Sequence, residues 1–268
     1  MTFTHAFLLG IIQGLTEFIP ISSTAHLLIS QSIFNLPADD AMFSFLVIVQ
    51  LGTLISLLAF YWKDISLIAK AILDFRRSTP ERDLGIHILV ATLPAILAGY
   101  LLKDAVEALF KQPMLQASIR LFTVAVLLTL AEWLTLKNRR LASMTRLDAL
   151  IVGLFQIIAV FPGASRSGTT ISGGMFRGFD RPSAARFAFL MSVPVMLAAG
   201  GYEMLDVLKM PNLGEFLPLL AVGFVTAAIV GWFAIKWLIA YLSKRSLYVF
   251  AVYCAMVGTI VLGFHLLS

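Results

Sequence analysis

Apolar residues run along most of the chain in stretches long enough to cross a bilayer. Six stretches are predicted as full spans: about 41–61, 86–102, 118–136, 187–205, 215–237 and 247–267. A transmembrane helix needs about 20 apolar residues, whereas the strands of a membrane barrel are segments of about ten residues with alternating polarity. The continuous runs therefore predict an all-α integral membrane protein with six transmembrane helices.

Two polar stretches interrupt this apolar pattern, one in each half of the chain. The first lies within residues 5–38 and contains Pro20, and the second lies within 148–175 and contains Pro162-Gly163. Proline removes a backbone donor and disfavours helix at the preceding residue, and the apolar pieces on either side are too short to span. We predict that each stretch is a re-entrant helical hairpin, with Ser22, Ser23 or Thr24 capping the helix that restarts.

The basic residues predict how the chain is oriented. Short loops rich in Lys and Arg face the cytoplasm, and two loops have this character, one after the first span and one after the third: Lys63, Lys70, Arg76, Arg77 and Arg82, then Lys137, Arg139, Arg140 and Arg146. The balanced loop 103–117 is placed outside, as are both termini. Three spans follow each hairpin, so the halves 1–147 and 148–268 are predicted to form an inverted-topology repeat within one membrane domain.

The composition agrees with a membrane protein and excludes other classes. The chain has 268 residues, of which 59% are hydrophobic and 13% charged, against about 25% charged in soluble domains. Its net charge of +5 lies in short loops, which argues against nucleic-acid binding. The single cysteine, Cys254, excludes a disulfide within the chain.

Two further features concern the ends of apolar segments. Glu132, beside Trp133 at a span end, is interpreted as an interfacial charge. The N-terminus lacks the basic region of a cleavable signal.

The first hairpin carries side chains suited to acid–base and nucleophilic chemistry. Gln13 and Glu17 are four residues apart, so on a helix they share a face and can converge on one cation or one water. His26 lies one helical turn beyond Ser23, a spacing at which an imidazole can activate a hydroxyl. Ser22 is nearly as well spaced, so the residues alone leave either serine as the reactive hydroxyl.

The second hairpin has the composition of an anion site. Arg166 supplies a guanidinium that pairs with phosphate oxygens, a helix start beyond Gly163 supplies free amides, and hydroxyls accompany them at Ser165, Ser167, Thr169 and Thr170. A charge inside the membrane costs about 2.5–3.5 kcal/mol even on insertion scales, so Glu17 and Arg166 are predicted to be functional. Serine and threonine in membrane helices more often bond to the backbone.

These two motifs resemble those of the undecaprenyl-diphosphate phosphatase family, the bacitracin-resistance proteins of bacterial plasma membranes. The residues that carry the resemblance are Gln13-x-x-x-Glu17, Pro20-x-Ser22-Ser23-Thr24-x-His26 and Pro162-Gly163-x-Ser165-Arg166-Ser167-Gly168-x-Thr170, with further similarity at Val49-Gln50-Leu51-Gly52 and Val222-Gly223-Phe224. The first position of the family motif is Glu or Gln. Gln13 in this chain leaves one fewer negative charge for a metal ion.

The resemblance implies hydrolysis of undecaprenyl diphosphate with Mg²⁺ or Ca²⁺, in the inner membrane and from the periplasmic side. It favours Ser23 as nucleophile, His26 as general base and then acid, and Glu17 as the principal metal ligand, with Gln13 acting indirectly. Arg166 would clamp the transition state, and the other phosphate ligands would be Ser22, Ser165, Ser167 and Thr170. Attack by water, or by His26 itself, stays open.

A protein of another class, a secondary transporter or a lipid flippase, would also fit inverted repeats with broken helices. The hydroxyl and imidazole grouping at Ser23 and His26 favours the hydrolase, because transport does not require a nucleophile. The expected partners are the polyprenyl diphosphate and membrane lipids, without nucleic acid. The sequence leaves a homodimer open.

Overall fold

The computed structural model describes residues 1–37, 39–74, 78–101, 113–160, 165–209 and 213–267. Within these ranges the regular structure is helical, with one 3₁₀ turn at Leu141–Ser143 and no named strand. The α-helices are α1 Phe3–Thr16, α2 Ser23–Ile33, α3 Asp40–Phe60, α4 Trp62–Leu73, α5 Pro80–Leu101, α6 Pro113–Leu134, α7 Arg146–Val160, α8 Arg166–Phe176, α9 Arg181–Val207, α10 Leu213–Leu242 and α11 Tyr248–Leu267. The all-α prediction is confirmed.

Five of the described helices are long and apolar enough to cross a membrane: Ala41–Phe60, Pro80–Leu101, Pro113–Leu134, Phe216–Leu242 and Tyr248–Leu267. They coincide with five of the six predicted spans, so the chain is a multi-pass membrane protein. The remaining predicted span, 187–205, lies within α9, which is not among the five. Since a helix rises 1.5 Å per residue, the 27 residues of α9 extend about 40 Å, and the sixth span stays a prediction.

Both interrupted segments are pairs of short helices that pack against each other. In the first, α1 and α2 have 14 and 11 residues, and in the second, α7 and α8 have 15 and 11. All four are shorter than the roughly 20 residues that a span requires. The second break, at 161–164, lies outside the described residues, as does most of the loop 103–117. The predicted interruption of the two segments is thus observed, while the membrane face at which each opens stays a prediction.

Serine caps restart the second helix of each pair. Ser22 is the N-cap of α2, where its hydroxyl accepts a hydrogen bond from the amide of Ala25, as predicted for the serines after Pro20. Ser165 is the N-cap of α8 and its hydroxyl accepts from the amide of Gly168 at 3.2 Å. An N-cap hydroxyl satisfies one of the free amides of the first turn. Both hairpins therefore present a helix N-terminus just after the break.

Each half of the chain packs its hairpin against a span of the other half. Helix α1 lies on α10, and α7 lies on α5. A Cβ atom added at Gly10 would lie 2.7 Å from the Gly223 carbonyl oxygen, and one at Gly153 would lie 2.4 Å from that of Ala91. Small residues allow membrane helices this close an approach. The two contacts are reciprocal, which is the packing expected of related halves.

The basic segment after the first span is not a loop throughout. Residues Trp62–Leu73 form α4, with Ile68 buried and Ile65 and Ile72 partly buried against the same core. Apolar residues at this three-and-four spacing give a helix one apolar face. Two of the basic residues, Lys63 and Lys70, therefore lie on a helix that packs on α5 rather than in a loop.

Glu132 is not an interfacial charge, and that interpretation was wrong. It is 6% exposed, and its carboxylate accepts hydrogen bonds from Arg181 Nε and Nη2 at 2.5 and 2.6 Å and from the Leu247 amide at 2.7 Å. These partners lie at the starts of α9 and α11. Glu132 therefore joins three helices. It lies on the side of the α6 end that faces α9 and α11, whereas the neighbouring Trp133 is 73% exposed.

A second buried carboxylate, Asp148, joins the start of the second hairpin to its end. It accepts hydrogen bonds at 2.7 Å from Arg139 Nη2 and Arg177 Nε and at 2.8 Å from the Thr145 hydroxyl. Burial alone would raise the pKa of Asp148, but the hydrogen bonds from Arg139, Thr145 and Arg177 hold it well below its usual range. The aspartate is therefore ionised, and it fixes both outer ends of the hairpin.

Replacement of Asp148 by asparagine is expected to destabilise the fold by about 3 kcal/mol, because breaking a buried ion pair leaves its partners uncompensated. Asp64→Asn is the matched control, since the Arg186–Asp64 pair is far more exposed, and exposed pairs contribute about 1 kcal/mol or less. The measurement is the apparent unfolding temperature in detergent. Equal shifts for the two variants would contradict the structural role of Asp148.

Candidate active site

The two interrupted segments meet at a cavity of about 200 Å³. The first hairpin contributes four lining residues, the second contributes four, and the surrounding spans contribute the rest: Glu17, Ser22, Ser23 and Thr24; Gln156, Ala159, Ser165 and Arg166; Gln50, Ala95, Arg120 and Val195. Glu17 and Arg166, which are predicted from the sequence to act together although they are 149 positions apart, thus line one cavity. A broken helix with polar side chains at membrane depth is tolerated where it lines such a cavity.

A larger cavity of about 610 Å³ lies elsewhere, beside α4 and α5. Its charged lining residues have both signs: Asp64, Glu81, Asp83, Arg146 and Arg186. None of the predicted catalytic or phosphate-binding residues borders it. The smaller cavity, which does contain them, is therefore the candidate active site.

Glu17 is the centre of the hydrogen-bond network in this cavity. Its Oε2 accepts from Gln13 Nε2 at 2.9 Å and from the Ser23 hydroxyl at 2.6 Å, and its Oε1 accepts from Arg166 Nη2. Gln13 is 1% exposed and Glu17 7%. The prediction that Gln13 and Glu17 share a face is confirmed, and the carboxylate is held by three donors.

The ion pair between Glu17 and Arg166 joins the two halves of the chain. Glu17 immediately follows α1, and Arg166 is the first residue of α8. Burying either charge alone would cost several kcal/mol, and pairing offsets that cost. Both residues are predicted from the sequence to be functional, but their contact with each other is not.

The structure distinguishes the two neighbouring serines. Ser22 is buried, caps α2, and has φ +70°, a left-handed conformation that is unfavourable for a residue other than glycine and is often found at functional sites. Ser23 begins α2, lines the cavity, and donates its hydroxyl hydrogen bond to Glu17. The Ser22 hydroxyl thus has a structural partner, while that of Ser23 is bonded to a carboxylate that can accept its proton.

His26 lies on the same helix but does not line the cavity. Its Nδ1 is 2.8 Å from the Ser22 carbonyl oxygen, which only accepts, so Nδ1 carries the hydrogen of the neutral ring. Its Nε2 is 2.8 Å from the Tyr253 hydroxyl. Both ring nitrogens are thus engaged away from Ser23, and the proposed role of His26 as base stays a prediction that requires the ring to turn.

The remaining predicted phosphate ligands separate into two groups. Ser165 lines the cavity, and its hydroxyl oxygen lies 3.1 Å from that of Ser167. Ser167 and Thr170 border a much smaller space, about 10 Å³, on another side of the Glu17–Arg166 pair. The Thr170 hydroxyl donates to the Arg166 carbonyl at 2.7 Å, the usual arrangement of threonine in membrane helices. The candidate site is therefore bordered by Ser22, Ser165 and Arg166. Ser167 and Thr170 lie on the other side of the Glu17–Arg166 pair and do not line the cavity.

Several residues at the site were not identified from sequence. Arg120 lies within the predicted span 118–136, is 5% exposed, and lines the cavity. A charge inside an apolar span was the signal that would have found it. Tyr253, which bonds to His26, lies 227 residues away in an ordinary apolar helix, so no local pattern indicates it.

The residues that line the cavity have too few oxygen ligands to hold a hard divalent cation alone, but they could hold one if the phosphates of a bound substrate supplied further ligands. Among the described residues there is no group of three or more His, Cys, Asp and Glu side chains able to hold a metal ion, and Glu17 is the carboxylate of the cavity lining. Mg²⁺ is commonly bound by one or two carboxylates together with water and substrate phosphates. Glu17, the Ser23 hydroxyl and the Gln50 amide oxygen would supply such oxygens.

The fold and the site define a multi-pass membrane protein with a carboxylate, a hydroxyl and a guanidinium joined in one cavity. Residues 6–260 match the family model described as "Bacitracin resistance protein BacA", and the chain belongs to this family. It is 39% identical to the undecaprenyl-diphosphatase of Alkaliphilus metalliredigens (strain QYMF), over 100% of both chains. It is 42% identical to that of Anaeromyxobacter sp. (strain K), over 96% of this chain and 90% of the relative. It is 40% identical to the undecaprenyl-diphosphatase of Chlorobium phaeobacteroides (strain BS1), over 98% of this chain and 97% of the relative.

Proposed function

We propose that this protein hydrolyses undecaprenyl diphosphate to undecaprenyl phosphate and inorganic phosphate. The observation that carries the proposal is the Glu17–Ser23–Arg166 constellation at the cavity between the broken helices. The reaction returns the lipid carrier to cell-wall synthesis and removes its diphosphate form, which accounts for bacitracin resistance. A hydroxyl bonded to a carboxylate favours this activity over that of a transporter or flippase.

The geometry supports attack by Ser23. Its Oγ forms a bond to the terminal phosphorus, Glu17 accepts the proton of the hydroxyl, and the bond between that phosphorus and the bridging oxygen breaks. The lipid monophosphate leaves, and water then cleaves the phosphoserine, releasing orthophosphate and restoring the Ser23 hydroxyl. Phosphoryl transfer depends mainly on positioning and charge stabilisation, which Arg166 provides once it exchanges Glu17 for phosphate oxygens.

This exchange couples substrate binding to activation of the serine. Before substrate binds, Arg166 is paired with Glu17, which also accepts from Ser23. A phosphate that draws the guanidinium away frees Glu17 for the proton of Ser23. His26 is proposed to serve as acid and base in the second step, after its Nε2 leaves the Tyr253 hydroxyl.

We also propose that activity requires Mg²⁺ or Ca²⁺. Glu17 would be the principal protein ligand, and Gln13, whose amide already bonds to that carboxylate, would orient it. A bound cation would neutralise charge on the diphosphate oxygens, and the ion pair of Glu17 and Arg166 has no net positive charge of its own to do so. Ser22, Ser165, Ser167 and Thr170 are proposed to orient the phosphate directly or through α8.

The finer topology is part of the same proposal. Six spans and two re-entrant hairpins would form an inverted repeat in the inner membrane, with the active site reached from the periplasmic side and the prenyl tail remaining in lipid. The reciprocal packing of α1 on α10 and α7 on α5 supports related halves. Lipids, or a second copy in a homodimer, would cover exposed apolar side chains such as Leu101 and Phe264.

Labelling of single cysteines in intact cells tests the orientation. Asn35→Cys should react with a membrane-impermeant maleimide from outside, whereas Ala142→Cys should react only after the membrane is opened, because its loop carries the basic excess. Both positions are exposed. The native Cys254 is buried, so the unmodified protein serves as the unlabelled control. The opposite labelling pattern would exclude the proposed topology.

Phosphate release by the purified protein tests the activity itself. Undecaprenyl diphosphate in detergent should yield one orthophosphate per lipid monophosphate, and a chelator should stop the reaction until Mg²⁺ or Ca²⁺ is restored. Protein carrying Arg166→Ala is the control for a contaminating phosphatase. If the wild-type protein releases no phosphate but moves the lipid between leaflets of a vesicle, the transporter alternative replaces the hydrolase.

A further inference from the structure

Arg120 and Gln156 border the active-site cavity, yet the chemistry at Ser23 does not use them. Arg120 comes from the middle of α6 and Gln156 from α7, and they are 5% and 2% exposed. A buried arginine in a membrane span is costly and typically marks an ion or substrate path. Their location on the cavity lining places a guanidinium and an amide where a ligand would lie.

The charges of the cavity lining favour an anion because of Arg120. The charged lining residues are Glu17, Arg120 and Arg166. Glu17 and Arg166 form an ion pair and cancel, so the net positive charge of the lining is that of Arg120. A diphosphate presents two anionic groups, and the Arg166 guanidinium, which shares the Glu17 carboxylate with Ser23, is placed to engage the one attacked by Ser23.

Gln156 provides independent evidence for a ligand. Within the described part of the chain its amide nitrogen and oxygen are both buried and both lack a hydrogen-bond partner, and leaving a buried polar group unsatisfied costs about 1–3 kcal/mol. Its counterpart in the other hairpin, Gln13, bonds to Glu17 four residues later. The residue four after Gln156 is Val160, so this glutamine has no corresponding carboxylate and its amide is available to a bound molecule.

We propose that Arg120 and Gln156 form a second phosphate subsite, which binds the phosphate that stays on the lipid carrier while Ser23 and Arg166 act on the terminal one. The inference rests on the proposed hydrolysis of a polyprenyl diphosphate. The guanidinium and the Gln156 Nε2 group would donate hydrogen bonds to the oxygens of the retained phosphate. The subsite would make the enzyme select diphosphates and would hold the monophosphate product until it leaves.

Inhibition by the two products tells the subsites apart. In Arg120→Gln, the inhibition constant for polyprenyl monophosphate should rise about tenfold or more, a loss of about 1.4 kcal/mol in binding, while that for orthophosphate should change less than about twofold. The KM for the diphosphate should rise with a smaller change in kcat, because this contact is made in the ground state and the transition state alike. Arg186→Gln, whose guanidinium pairs with Asp64 outside the cavity, should behave as the wild type.

Gln156→Met separates a binding role from a structural one. If Gln156 belongs to the subsite, its amide has no hydrogen-bond partner in the free protein, so an apolar replacement should raise the unfolding temperature in the absence of lipid. The same replacement should weaken inhibition by polyprenyl monophosphate. A structural glutamine would give a lower unfolding temperature and unchanged inhibition, which would overturn the inference. Arg120→Lys, which keeps the charge, should restore part of the monophosphate affinity even if Arg120→Gln fails to fold.

The outcomes also separate this inference from the proposed function. If the wild-type protein hydrolyses no polyprenyl diphosphate, the proposed function fails. If it does, but Arg120→Gln weakens orthophosphate alone, Arg120 belongs to the attacked phosphate and the second subsite is wrong. Equal inhibition constants in the wild type, Arg120→Gln and Gln156→Met would exclude the subsite altogether.

Discussion

Glu17→Gln is expected to abolish phosphate release and, with it, the response to divalent cations. The substitution keeps the size of the side chain but removes the group that accepts from Ser23, pairs with Arg166 and would bind the cation. Loss of a general base alone lowers the rate by about 10²–10⁴-fold. Because three functions depend on one carboxylate, we expect the larger end of that range or beyond.

The measurement is phosphate release over a titration of Mg²⁺ and Ca²⁺, together with the unfolding temperature of each protein. Glu81→Gln is the matched control, since Glu81 borders the other cavity and its replacement should leave turnover unchanged. Gln13→Glu should remain active, because a second carboxylate beside Glu17 suits a cation. Near-normal, chelator-sensitive turnover of a folded Glu17→Gln protein would show that another group holds the metal.

The helices were predictable where one physical requirement dominates. A span must be apolar over about 20 residues, so five spans follow from the sequence, and the polar breaks predict the two hairpins. The helix at Trp62–Leu73 and the role of Glu132 were not predicted, because both depend on what packs against them. Glu132 contacts Arg181 and the Leu247 amide, and sequence neighbours give no indication of such distant partners.

The candidate site shows the same division between local and long-range information. The contact between Gln13 and Glu17 follows from helical spacing and is observed. The same reasoning placed His26 beside Ser23, but short-range alternatives prevailed: the Ser22 carbonyl accepts from the ring, and Glu17, brought close by the break at Pro20, accepts from Ser23. Spacing limits which groups can meet, and the turn between the helices decides which do.

Ser23→Ala is expected to be almost inactive, whereas Ser22→Ala should be only partly impaired. The Ser23 hydroxyl lies 2.6 Å from Glu17 Oε2 and lines the cavity, so its loss removes the proposed nucleophile. The Ser22 hydroxyl caps α2, and loss of an N-cap costs about 1 kcal/mol of stability. The pair therefore serves as its own matched control, with adjacent residues and the same substitution.

Two measurements decide between covalent catalysis and attack by water. The first is kcat/KM for phosphate release by Ser23→Ala, for which retention of more than about a tenth of the wild-type value, a loss under about 1.4 kcal/mol in transition-state stabilisation, would exclude Ser23 as nucleophile. The second is rapid acid quenching with substrate labelled in the terminal phosphate. Label should remain on the wild-type chain and on Ser22→Ala, because a phosphoserine is stable in acid whereas phosphate that is not covalently bound is released on denaturation. It should be absent from Ser23→Ala, which lacks the proposed nucleophile. A parallel quench in base tests attack by His26, since a phosphohistidine is lost in acid and retained in base. Label that is found on His26 after the base quench and is absent after the acid quench would assign the attack to the imidazole.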